Sequence, residues 1–459
     1  MCGIAGIIDF TQDISEQQLI NKMTETLAHR GPDSEGYFAS KHALLGHKRL
    51  AIIDLVTGSQ PMTKGAYTIV YNGEIYNAPE LRKQLQQLGY DFFSTSDTEV
   101  IVTAYIEWQE RCVDYLNGIY AFAIWNAELE QLFLCRDHLG VKPLFYVQHR
   151  TGILFASEIK ALLAHPSVKA EVDSDGLAAL LSLGPSRITG HAIFKGIHEL
   201  KPAHLMVVKR DKVTCQRYWD IESREHKDNE QQTIESVHQL VTDAVCRQLI
   251  SDVPICTMLS GGLDSSILTA IAAKQLSYAD KTLATYSVAY EGNNEHFQTN
   301  AFQTTQDEFW IEKMQKRYGT KHTQIELQQQ SLVDALTEAM RFKDMPSMAD
   351  IDSSLYLFCK EIKKTHSVAL SGECADEVFG GYPWFYSQKQ TAFPWLRATS
   401  EREGLLSERW QRKLRLTDYL EDTYNEALAQ MPEFLGDPVE RERQQLFYLN
   451  NQFFMQTLL

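Results

Sequence analysis

The first half of the chain, to about Val208, is a series of short apolar runs separated by Gly, Asp and Asn. Their enrichment in aromatic and β-branched residues predicts strands. Three longer stretches with apolar residues every three or four positions predict helices. The predicted strands are GIAGIID, YTIVYNGEIYN, IYAFAIWN, QLFLCRD, PLFYVQ and GILFASE, and the predicted helices are ISEQQLINKMTETLAH, APELRKQLQQLGY and DTEVIVTAYIEWQE. These elements predict strands packed in layers with helices outside them.

The second half of the chain has a different pattern. It starts after a polar stretch, Glu222 to Gln232, that lacks apolar periodicity and is typical of a linker. Beyond it, the stretches TIESVHQLVTDAVCRQL and SSILTAIAAKQL predict helices, and the short apolar runs VPICTML, TLATYSVAY and HSVALSGE predict strands. Helices that alternate with buried strands predict a parallel sheet covered on both faces.

The change of pattern predicts an α/β multidomain protein. We place the first domain at residues 1–210, the linker at 211–232 and the second domain at 233–459, and we expect the second domain to be incomplete. A chain of 459 residues is long enough for two domains of this size, each with its own core.

Composition and charge exclude several classes of protein. Hydrophobic residues make up 44% and charged residues 23%, as in ordinary globular proteins. A net charge of −16 disfavours a nucleic-acid binder, which usually has a basic stripe. No apolar run reaches the roughly 18 residues of a membrane span, and the first residues do not form a secretory signal. Eight cysteines without CxxC pairs or zinc spacing indicate reduced thiols, so we expect a cytoplasmic protein without membrane partners.

The string LSGGLDSS, at the end of the predicted strand VPICTML, is the first candidate site of the second half. Glycines between a strand and a helix let the backbone approach a phosphate, and the helix N-terminus favours an anion. The lysine of a GxxxxGK[ST] loop is missing, which disfavours γ-phosphoryl transfer. The loop better suits a pyrophosphate leaving group, with Asp264 reaching Mg²⁺. The ordinary alternative is a helix N-cap formed by Ser260 or Asp264.

A second glycine-containing junction, VALSGECADEVFGGY, follows another predicted strand. It contains Glu373, Asp376 and Glu377, and clustered carboxylates beside a phosphate loop are natural Mg²⁺ ligands. A solvated acidic loop is the ordinary alternative. Because both junctions follow strands of one parallel sheet, we expect them to meet at its carboxyl edge, where open α/β sheets bind ligands.

The first half offers a different chemistry, which begins with Cys2. After removal of Met1, Cys2 carries a free α-amino group with a pKa of about 7.7–8.0, close to that of a thiol at about 8.5. An N-terminal nucleophile therefore brings its own general base. The alternative for Cys2 is a small buried hydrophobic residue, which is the usual role of a lone cysteine.

Four further residues suit an amide substrate such as glutamine. Asn72 and Gly73, in YNGEIYN, offer a side-chain amide and a backbone N–H to an oxyanion. Arg49 suits an α-carboxylate, and Asp97 suits an α-ammonium. Each also has an ordinary alternative, which is favoured when the residue is taken singly: a hairpin turn at Asn72–Gly73, a surface ion pair for Arg49 and a helix N-cap for Asp97. Together with Cys2 they compose one glutamine-shaped site.

Taken in order, these motifs resemble the family of glutamine-dependent asparagine synthetases. The resemblance covers essentially the whole sequence. In the first half it rests on MCGIAGI, HRGPDSEG, GHKRLAIIDL, GSQPM, YNGEIYN, SDTE, LNGIYAFAIW, RDHLGVKPLFY and FASEIKAL, and in the second half on LSGGLDSS and LSGECADEVFGGY.

The resemblance implies that the first domain is an N-terminal-nucleophile amidohydrolase, a four-layer αββα sandwich. In such a domain Cys2 attacks the side-chain amide of glutamine and releases ammonia. The resemblance implies catalytic roles for Cys2, Asn72 and Gly73, and it implies glutamine contacts from Arg49, Leu50, Ala51, Ile52, Ile53, Asn72, Gly73, Glu74 and Asp97.

For the second domain the resemblance implies an ATP-pyrophosphatase fold built on a parallel sheet. The implied reaction amidates aspartate through a β-aspartyl-adenylate and releases pyrophosphate, with ATP and Mg²⁺ required. Asp264 and Asp376 are the implied Mg²⁺ ligands, and Glu373 is implied in forming the adenylate. The implied ATP contacts are Leu259, Ser260, Gly261, Gly262, Asp264, Ser265, Val288, Ser371 and Gly372. A homodimer is a further expectation.

Two features separate this chain from the pattern of the family. Family members usually continue past NNQFFMQTLL, so we expect a truncated chain in which glutaminase chemistry is better supported than complete synthesis. The stretch MADIDSS, at 348–354, resembles one subgroup and is expected near the aspartate pocket. An amidotransferase for a peptide, sugar-acid or antibiotic-precursor carboxylate is therefore an alternative, and a regulatory protein with inactive sites is another.

Overall fold

The computed structural model describes residues 1–459 except positions 15, 150, 185, 187, 294–306, 347, 387–392, 395, 397, 398, 435 and 456–459, and the side chains of Asp350 and Phe454 are also outside the description. The described residues form two compact units. The first comprises Met1–Glu225 and Tyr382–Leu459, and the second comprises His226–Gly381. The division at 1–210, 211–232 and 233–459 stays a prediction. Within its linker, 212–217 form a strand and 230–232 begin a helix.

Two antiparallel sheets of six strands each form the centre of the first unit. The strands are β1 (Gly3–Asp9), β2 (Ser34–Ala39), β3 (Ala43–Arg49), β4 (Met62–Lys64), β5 (Tyr67–Ile75), β6 (Gly118–Asn126), β7 (Gln131–Arg136), β8 (Phe145–His149), β9 (Gly152–Ala156), β10 (His198–Glu199), β11 (His204–Lys209) and β12 (Lys212–Arg217). The first sheet has the order β10-β8-β9-β1-β3-β2, and the second has the order β12-β11-β7-β6-β5-β4.

The two sheets share a core of almost fully buried side chains that includes Ile8, Val70 and Trp125. Strands β3, β6 and β7 are buried along most of their length, which explains the continuous apolar runs in their sequences. The edge strand β12 is exposed throughout, and its sequence is correspondingly polar.

Helices cover the outer face of each sheet. The helices of this part are α1 (Gln17–Glu25), α2 (Ala78–Gln87), α3 (Asp97–Trp108), α4 (Ile159–Leu163) and α5 (Ser174–Leu183), with a 3₁₀ helix at Gln109–Tyr115. α1 and α4 contact the first sheet, and α3 contacts the second. Leu85 of α2 and Ile101 of α3 pack into one core with Tyr71 and Phe133 of the second sheet. The order of layers is helix, sheet, sheet, helix, so the predicted αββα sandwich is confirmed.

A four-stranded parallel sheet forms the centre of the second unit. Its strands are β13 (Ile255–Met258), β14 (Ala284–Tyr290), β15 (Lys321–Leu327) and β16 (Val368–Leu370), in the order β15-β14-β13-β16. The chain moves outward from β13 to β15 and then returns to the other side of β13. The strand order therefore reverses between β13 and β16, the position at which open α/β sheets bind ligands. The predicted parallel sheet is confirmed.

The helices of the second unit connect these strands. They are α6 (Glu230–Arg247), α7 (Leu263–Ser277), α8 (Asp307–Tyr318), α9 (Gln329–Lys343), α10 (Ala349–Ile362) and α11 (Ala375–Phe379). α6 begins with a capping box, in which the Asn229 side chain accepts from the Gln232 N–H and the Gln232 side chain accepts from the Asn229 N–H. This cap marks where the polar stretch of the sequence gives way to a helix.

The last residues of the chain return to the first unit as helices. They are α12 (Thr399–Gly404), α13 (Glu408–Leu414), α14 (Leu416–Ala429) and α15 (Pro438–Leu449), with a 3₁₀ helix at Pro383–Phe385 and a π helix at Asn450–Phe454. Arg402 caps α5 by donating to the carbonyls of Leu181 and Ser182 at 2.8 and 2.9 Å. The last four residues of NNQFFMQTLL, 456–459, are outside the described residues. In the part of the chain that the structure describes, no helix combines the length and apolar character needed to cross a membrane.

Candidate functional site

Cys2 lies in a pocket at the end of β1. The antiparallel register places Gly3 opposite Lys48, so Cys2 comes next to the end of β3. The Leu50 N–H donates to the Cys2 Sγ at 3.4 Å, and the Sγ lies 3.6 Å from the Leu50 carbonyl oxygen. Burial raises the pKa of the Cys2 thiol, although the Leu50 backbone bond and the positive amino terminus act in the opposite direction.

Arg30 fixes the backbone of Cys2. Its Nε donates to the Cys2 carbonyl at 2.8 Å, and one of its terminal nitrogens pairs with Glu158 at 2.7 Å. Burial alone would raise the pKa of Glu158, but the hydrogen bond with His29 and the charges of Arg30 and Lys160 lower it to about 2. Glu158 is therefore a stable anion that anchors Arg30, and through Arg30 it anchors the start of β1.

The edge of β5 supplies hydrogen-bond donors to the same pocket. Its neighbour β4 is short, and β5 extends beyond it. The Tyr71 N–H donates to the Gln60 Oε1 at 2.7 Å, and the Ile75 N–H donates to the Asp97 Oδ2 at 3.1 Å. Alternate residues of a strand direct their N–H groups to the same side. The Gly73 N–H therefore points to this edge as well, between two groups that are already bonded.

Asn72 lies inside β5, opposite Ala121 of β6, so the hairpin-turn alternative for Asn72–Gly73 is wrong. The Asn72 side chain is almost completely buried, and its Nδ2 has no hydrogen-bond acceptor among the described residues. A buried donor without an acceptor costs roughly 1–3 kcal/mol. A ligand oxygen bound at this position would recover that cost, as expected of an oxyanion site.

Arg49 ends β3 and is 7% exposed, so the surface-ion-pair alternative is wrong. Its guanidinium donates to the carbonyls of Ile53 and Asp54. A Cβ on Gly58 would lie 2.5 Å from the guanidinium, which means that glycine at this position leaves the space that Arg49 occupies. A buried guanidinium held by backbone carbonyls is well placed to bind a carboxylate.

Asp97 is the first residue of α3, but it does not cap the helix. The cap is Ser96, whose Oγ accepts from the Thr98 N–H at 3.2 Å. The Asp97 carboxylate instead accepts from the Tyr71 hydroxyl at 2.8 Å and from the Ile75 N–H. Burial raises the pKa of Asp97 against these bonds. The helix-cap alternative is therefore wrong, and the carboxylate belongs to the pocket.

Glu74 is a second carboxylate in this pocket, and it is partly buried. Burial and then the charge of Asp97 raise the pKa of Glu74 well above its ordinary value, while Lys142 and the amino terminus act in the opposite direction. Two carboxylates that share a buried site repel each other. A substrate ammonium bound between Glu74 and Asp97 would relieve that repulsion.

The pocket is lined by nine of the ten residues that the sequence predicts for it, namely Cys2, Arg49, Leu50, Ile52, Ile53, Asn72, Gly73, Glu74 and Asp97. Ala51 is outside this lining, and its N–H donates to the Asp33 carboxylate at 2.9 Å. Sequence reasoning did not single out six other lining residues, which are Gly58, Gln60, Tyr71, Ser96, Thr98 and Lys142. Gln60 and Lys142 lie in GSQPM and RDHLGVKPLFY, so the motifs contained a signal for them.

In the second unit, the loop after β13 has the geometry that its glycines suggest. Leu259 is fully buried, and its N–H donates to the Tyr286 carbonyl of β14 at 2.7 Å. Gly261 has a φ of +83°, a left-handed conformation that favours glycine. A Cβ on Gly261 would also lie 2.9 Å from the Asp307 carbonyl oxygen, so a larger residue would displace α8.

The start of α7 contradicts the helix-cap alternative for Ser260 and Asp264, because the N-cap is Gly262. The Ser260 Oγ instead lies 3.1 Å from the Ser265 Oγ. The Ser265 hydroxyl is also within hydrogen-bond distance of the Gly262 carbonyl. Ser260 and Gly262 are exposed and Asp264 is half-buried, so the loop presents its polar groups to solvent.

The loop after β16 meets this first loop, as the sequence predicts. A Cβ on Gly372 would lie 3.0 Å from the Ser265 backbone nitrogen and 3.2 Å from the Asp264 Cβ. Both loops leave the carboxyl ends of neighbouring strands, β13 and β16. The Glu373 N–H donates to the Ser371 Oγ at 3.2 Å, which holds the turn that leads to α11. Val288 lies within β14, partly buried.

Asp264 and Asp376 approach each other where these loops meet. Partial burial and then the charge of Asp376 raise the pKa of Asp264. Among the residues that the structure describes, no three His, Cys, Asp or Glu side chains form a group that could hold a metal ion. Mg²⁺ prefers six oxygen ligands and usually takes one or two from carboxylates and the rest from phosphates and water. The carboxylate pair therefore fits Mg²⁺ that arrives with a phosphate ligand.

Comparison with known proteins matches two successive parts of the chain to two family models. Residues 1–219 match the family model of the glutamine amidotransferase domain, and residues 236–459 match that of asparagine synthase. The chain is 52% identical over 467 residues to asparagine synthetase [glutamine-hydrolyzing] 3 of Bacillus subtilis (strain 168), covering 100% of this chain and 76% of that protein. This chain belongs to the asparagine synthase family.

Two further members of the asparagine synthase family are similar to it. Putative asparagine synthetase [glutamine-hydrolyzing] 2 of Methanocaldococcus jannaschii is 32% identical over 83% of this chain and 76% of its own length. Asparagine synthetase [glutamine-hydrolyzing] 1 of Bacillus subtilis is 32% identical over 88% of this chain, which spans 62% of that relative's length. The predicted family and enzyme class are confirmed, and the roles of the individual site residues stay predictions.

Proposed function

We propose that this protein converts aspartate to asparagine, with ammonia taken from glutamine and with ATP as the source of energy. The observation that carries the proposal is the pocket at β1, in which a cysteine at position 2 faces a buried amide donor that has no acceptor. Membership of the asparagine synthase family supports the second half of the reaction.

Glutamine hydrolysis begins with removal of Met1, which turns Cys2 into the amino-terminal residue. The α-amine accepts the proton of the thiol, and the thiolate attacks the δ-carbonyl carbon of glutamine. The Asn72 Nδ2 and the Gly73 N–H stabilise the resulting oxyanion. The C–N bond breaks, ammonia leaves with a proton from the α-ammonium, and water hydrolyses the thioester to release glutamate and restore the thiol.

The substrate is recognised by its charged end. Arg49 binds the α-carboxylate in a bidentate contact, and Asp97 and Glu74 bind the α-ammonium. The backbone of 50–53, which includes Ala51, forms the wall beside Cys2. Support for this arrangement comes from the burial of Arg49 and Asp97, because charges of this kind are costly to bury without a partner.

We propose that ATP binds at the two loops of the second unit, with its phosphates at Ser260–Gly262, Asp264 and Ser265 and further contacts from Leu259, Val288, Ser371 and Gly372. The close approach of Gly372 to the Ser265 backbone supports this proposal, since it joins both loops into one surface. Asp264 and Asp376 would hold Mg²⁺, which supplies positive charge to the pyrophosphate leaving group. Partial burial and then the charge of Asp376 raise the pKa of Asp264, and a cation bound there would offset both effects.

Activation makes the β-carboxylate of aspartate reactive. One of its oxygens attacks the α-phosphorus of ATP and expels pyrophosphate, which gives β-aspartyl-AMP. Glu373, in the second loop, is the residue we assign to this step. Ammonia then attacks the acyl carbon, AMP leaves, and loss of a proton gives asparagine.

The segment 348–354 is our candidate for contact with aspartate. It begins α10, where Asp352 pairs with Lys343 at 2.7 Å and the Ser354 Oγ bonds to the Tyr290 hydroxyl at 2.6 Å. The side chain of Asp350 is outside the described residues. A different carboxylate acceptor is the alternative function, and it would use the same two sites.

The decisive experiment measures pyrophosphate and asparagine with ATP, Mg²⁺ and aspartate, with and without glutamine. We expect pyrophosphate only when aspartate is present, and asparagine when glutamine or ammonia is added. Glutamine hydrolysis without any aspartate-dependent pyrophosphate would contradict aspartate as the acceptor. In that case the same assay with peptide and sugar-acid carboxylates tests the alternative.

We also propose a cytoplasmic location and a homodimer. All eight cysteines are free, which fits a reducing compartment. Fractionation of the native host tests the location, and analytical ultracentrifugation tests the dimer. A monomer at micromolar concentration would contradict the dimer without affecting the chemistry.

A further inference from the structure

Lys142 lies in the pocket of Cys2, and the steps described above do not use it. It lines the pocket together with Cys2, Asn72 and Glu74, and it is 8% exposed. Its Nζ lies 3.1 Å from the Met1 Sδ, so the ammonium is next to the start of the chain. A lysine loses hydration and side-chain freedom when it is buried, which makes an unused lysine in this place unexpected.

The loop that carries Lys142 is held in position by its own buried residues. The Asp137 carboxylate accepts hydrogen bonds from the N–H groups of Leu139, Val141 and Lys142 at 3.2, 2.9 and 3.0 Å. The Arg136 Nε donates to the Lys142 carbonyl at 2.8 Å. Hydrogen bonds within the protein therefore hold the loop that places the ammonium in the pocket, and they do not need bound substrate. A preorganised electrostatic group requires this.

We propose that Lys142 is a positioning residue for glutamine hydrolysis, whose fixed positive charge keeps the amino-terminal amine and the Cys2 thiol ready to lose their protons. This inference rests on the proposed function, because it concerns the same nucleophile. Lys142 acts on Cys2 through its charge and forms no bond to the reacting atoms. Because the Lys142 Nζ contacts the Met1 Sδ, removal of Met1 frees the space next to this ammonium.

The charges around Lys142 determine its protonation state, and this state determines in which direction its loss changes the pKa of the α-amine and of the Cys2 thiol. Burial and then the charge of Arg30 lower the pKa of Lys142 to about 8, while Asp137, Glu74 and Cys2 act in the opposite direction. At pH 7 the side chain is mostly charged. Loss of a positive charge raises the pKa of every neighbouring group, whether amine, thiol or carboxyl. Without Lys142, the α-amine and the thiol should hold their protons to higher pH.

The test is the pH profile of glutamine hydrolysis in Lys142→Met and Lys142→Arg. For Lys142→Met we expect the acid limb of kcat/KM to move up by about one pH unit, the size of a single charge at several ångströms in a partly polar site. Activity at pH 7 should fall about tenfold and recover at higher pH. Lys142→Arg keeps the charge and should keep the wild-type limb. Lys83→Met, at an exposed position of α2, is the matched control.

Two outcomes would overturn the inference. One is a Lys142→Met profile that superimposes on the wild type, and the other is an equal loss in the Met and Arg variants at every pH. Thermal unfolding confirms that each variant is folded, and Lys142→Gln replaces the methionine variant if that one does not fold. Cys2→Ala distinguishes the two proposals: if it still hydrolyses glutamine, the proposed function fails, whereas an inactive Cys2→Ala beside an unchanged Lys142→Met defeats only the role of Lys142.

Discussion

The pocket around Cys2 and the two loops of the second unit differ in how far their polar and charged residues are buried and hydrogen-bonded within the protein. In the pocket, Asn72, Asp97 and Arg49 are all less than 8% exposed. Asp97 and Arg49 form hydrogen bonds to other groups of the protein. In the loops, Ser260, Gly262 and Ser371 are exposed, and partial burial and then the charge of Asp376 raise the pKa of Asp264. Within the described residues, the first site leaves two amide donors unused, the Asn72 Nδ2 and the Gly73 N–H, whereas the second brings two carboxylates together, which favours a cation.

This difference indicates when each site becomes competent. The pocket is built from strand ends and a helix start that pack on the double-sheet core, so we expect the same geometry with and without glutamine. If the loops bind ATP and a divalent cation as proposed, their geometry should tighten on binding. Each variant below therefore tests one site while the other serves as its internal reference.

Cys2→Ala should have the largest effect. Removal of the nucleophile should reduce glutamine hydrolysis by about 10⁴-fold or more, while ammonia-dependent pyrophosphate release stays unchanged. Glutamate and pyrophosphate are measured on the same preparation. Cys215→Ala, at an exposed cysteine, is the control. A parallel loss of both activities would contradict the independence of the two sites.

Asn72→Ala should come next, with a fall in kcat for glutamine hydrolysis of about 10²–10³-fold, because it removes one oxyanion donor. KM for glutamine should change little, since the donor acts mainly in the transition state. Steady-state kinetics provide both constants, with Asn21→Ala, at an exposed position of α1, as the control. If KM rises and kcat stays, Asn72 binds the ground state and is not an oxyanion donor.

Asp264→Asn should affect only the second site. Loss of a proposed Mg²⁺ ligand should weaken the apparent Mg²⁺ affinity by about 10–100-fold, and excess Mg²⁺ should restore part of the pyrophosphate release. Glutamine hydrolysis should be unaffected. Asp334→Asn, at an exposed position of α9, is the control. An unchanged Mg²⁺ dependence would remove Asp264 from the metal site.

Protonation of His47 should have the smallest effect of the four, a change in the free energy of unfolding with pH. It tests whether the first site is buried. Burial lowers the pKa of His47 to about 4, and its Nε2 lies 3.0 Å from the Tyr71 carbonyl. The folded state therefore favours the neutral ring. Its contribution to the free energy of unfolding is complete above pH 6.5 and declines as pH falls toward 4, by up to about 1.4 kcal/mol per pH unit.

Urea unfolding at pH 6.5 and 5.5 measures this contribution, with His47→Gln as the comparison. The wild type should lose more stability than the variant over this interval. Equal losses would show that the ring is not kept neutral, and the contrast between a closed pocket and open loops would weaken.

Much of the fold follows from local pattern. The strands around GIAGIID and IYAFAIWN are buried on both faces, so their apolar runs are continuous and easy to recognise. The strand Lys321–Leu327 was not predicted, because most of its residues are polar. Parallel pairing with β14 holds it in the sheet. Pairing of this kind depends on a distant strand and leaves little trace in the local sequence.

The candidate site was predictable where single residues carry distinctive chemistry, as Cys2 and Asn72 do. The bond from the Tyr71 hydroxyl to Asp97 was not, because it joins two elements whose register is set by the whole sheet. Lys142 was also missed. Its burial results from the bonds that Asp137 makes to the loop, and a charged residue in a turn normally indicates solvent.

The short partner of β5 has a consequence of its own. A sheet edge without a neighbour attracts strands from other molecules, and proteins usually block such edges. Here Gln60 and Asp97 occupy the N–H groups of Tyr71 and Ile75, and one amide, that of Gly73, is left between them. If glutamine binds there as proposed, it would complete this row of hydrogen bonds in the place of a neighbouring strand, and the same backbone would both bind substrate and be shielded from pairing with another molecule.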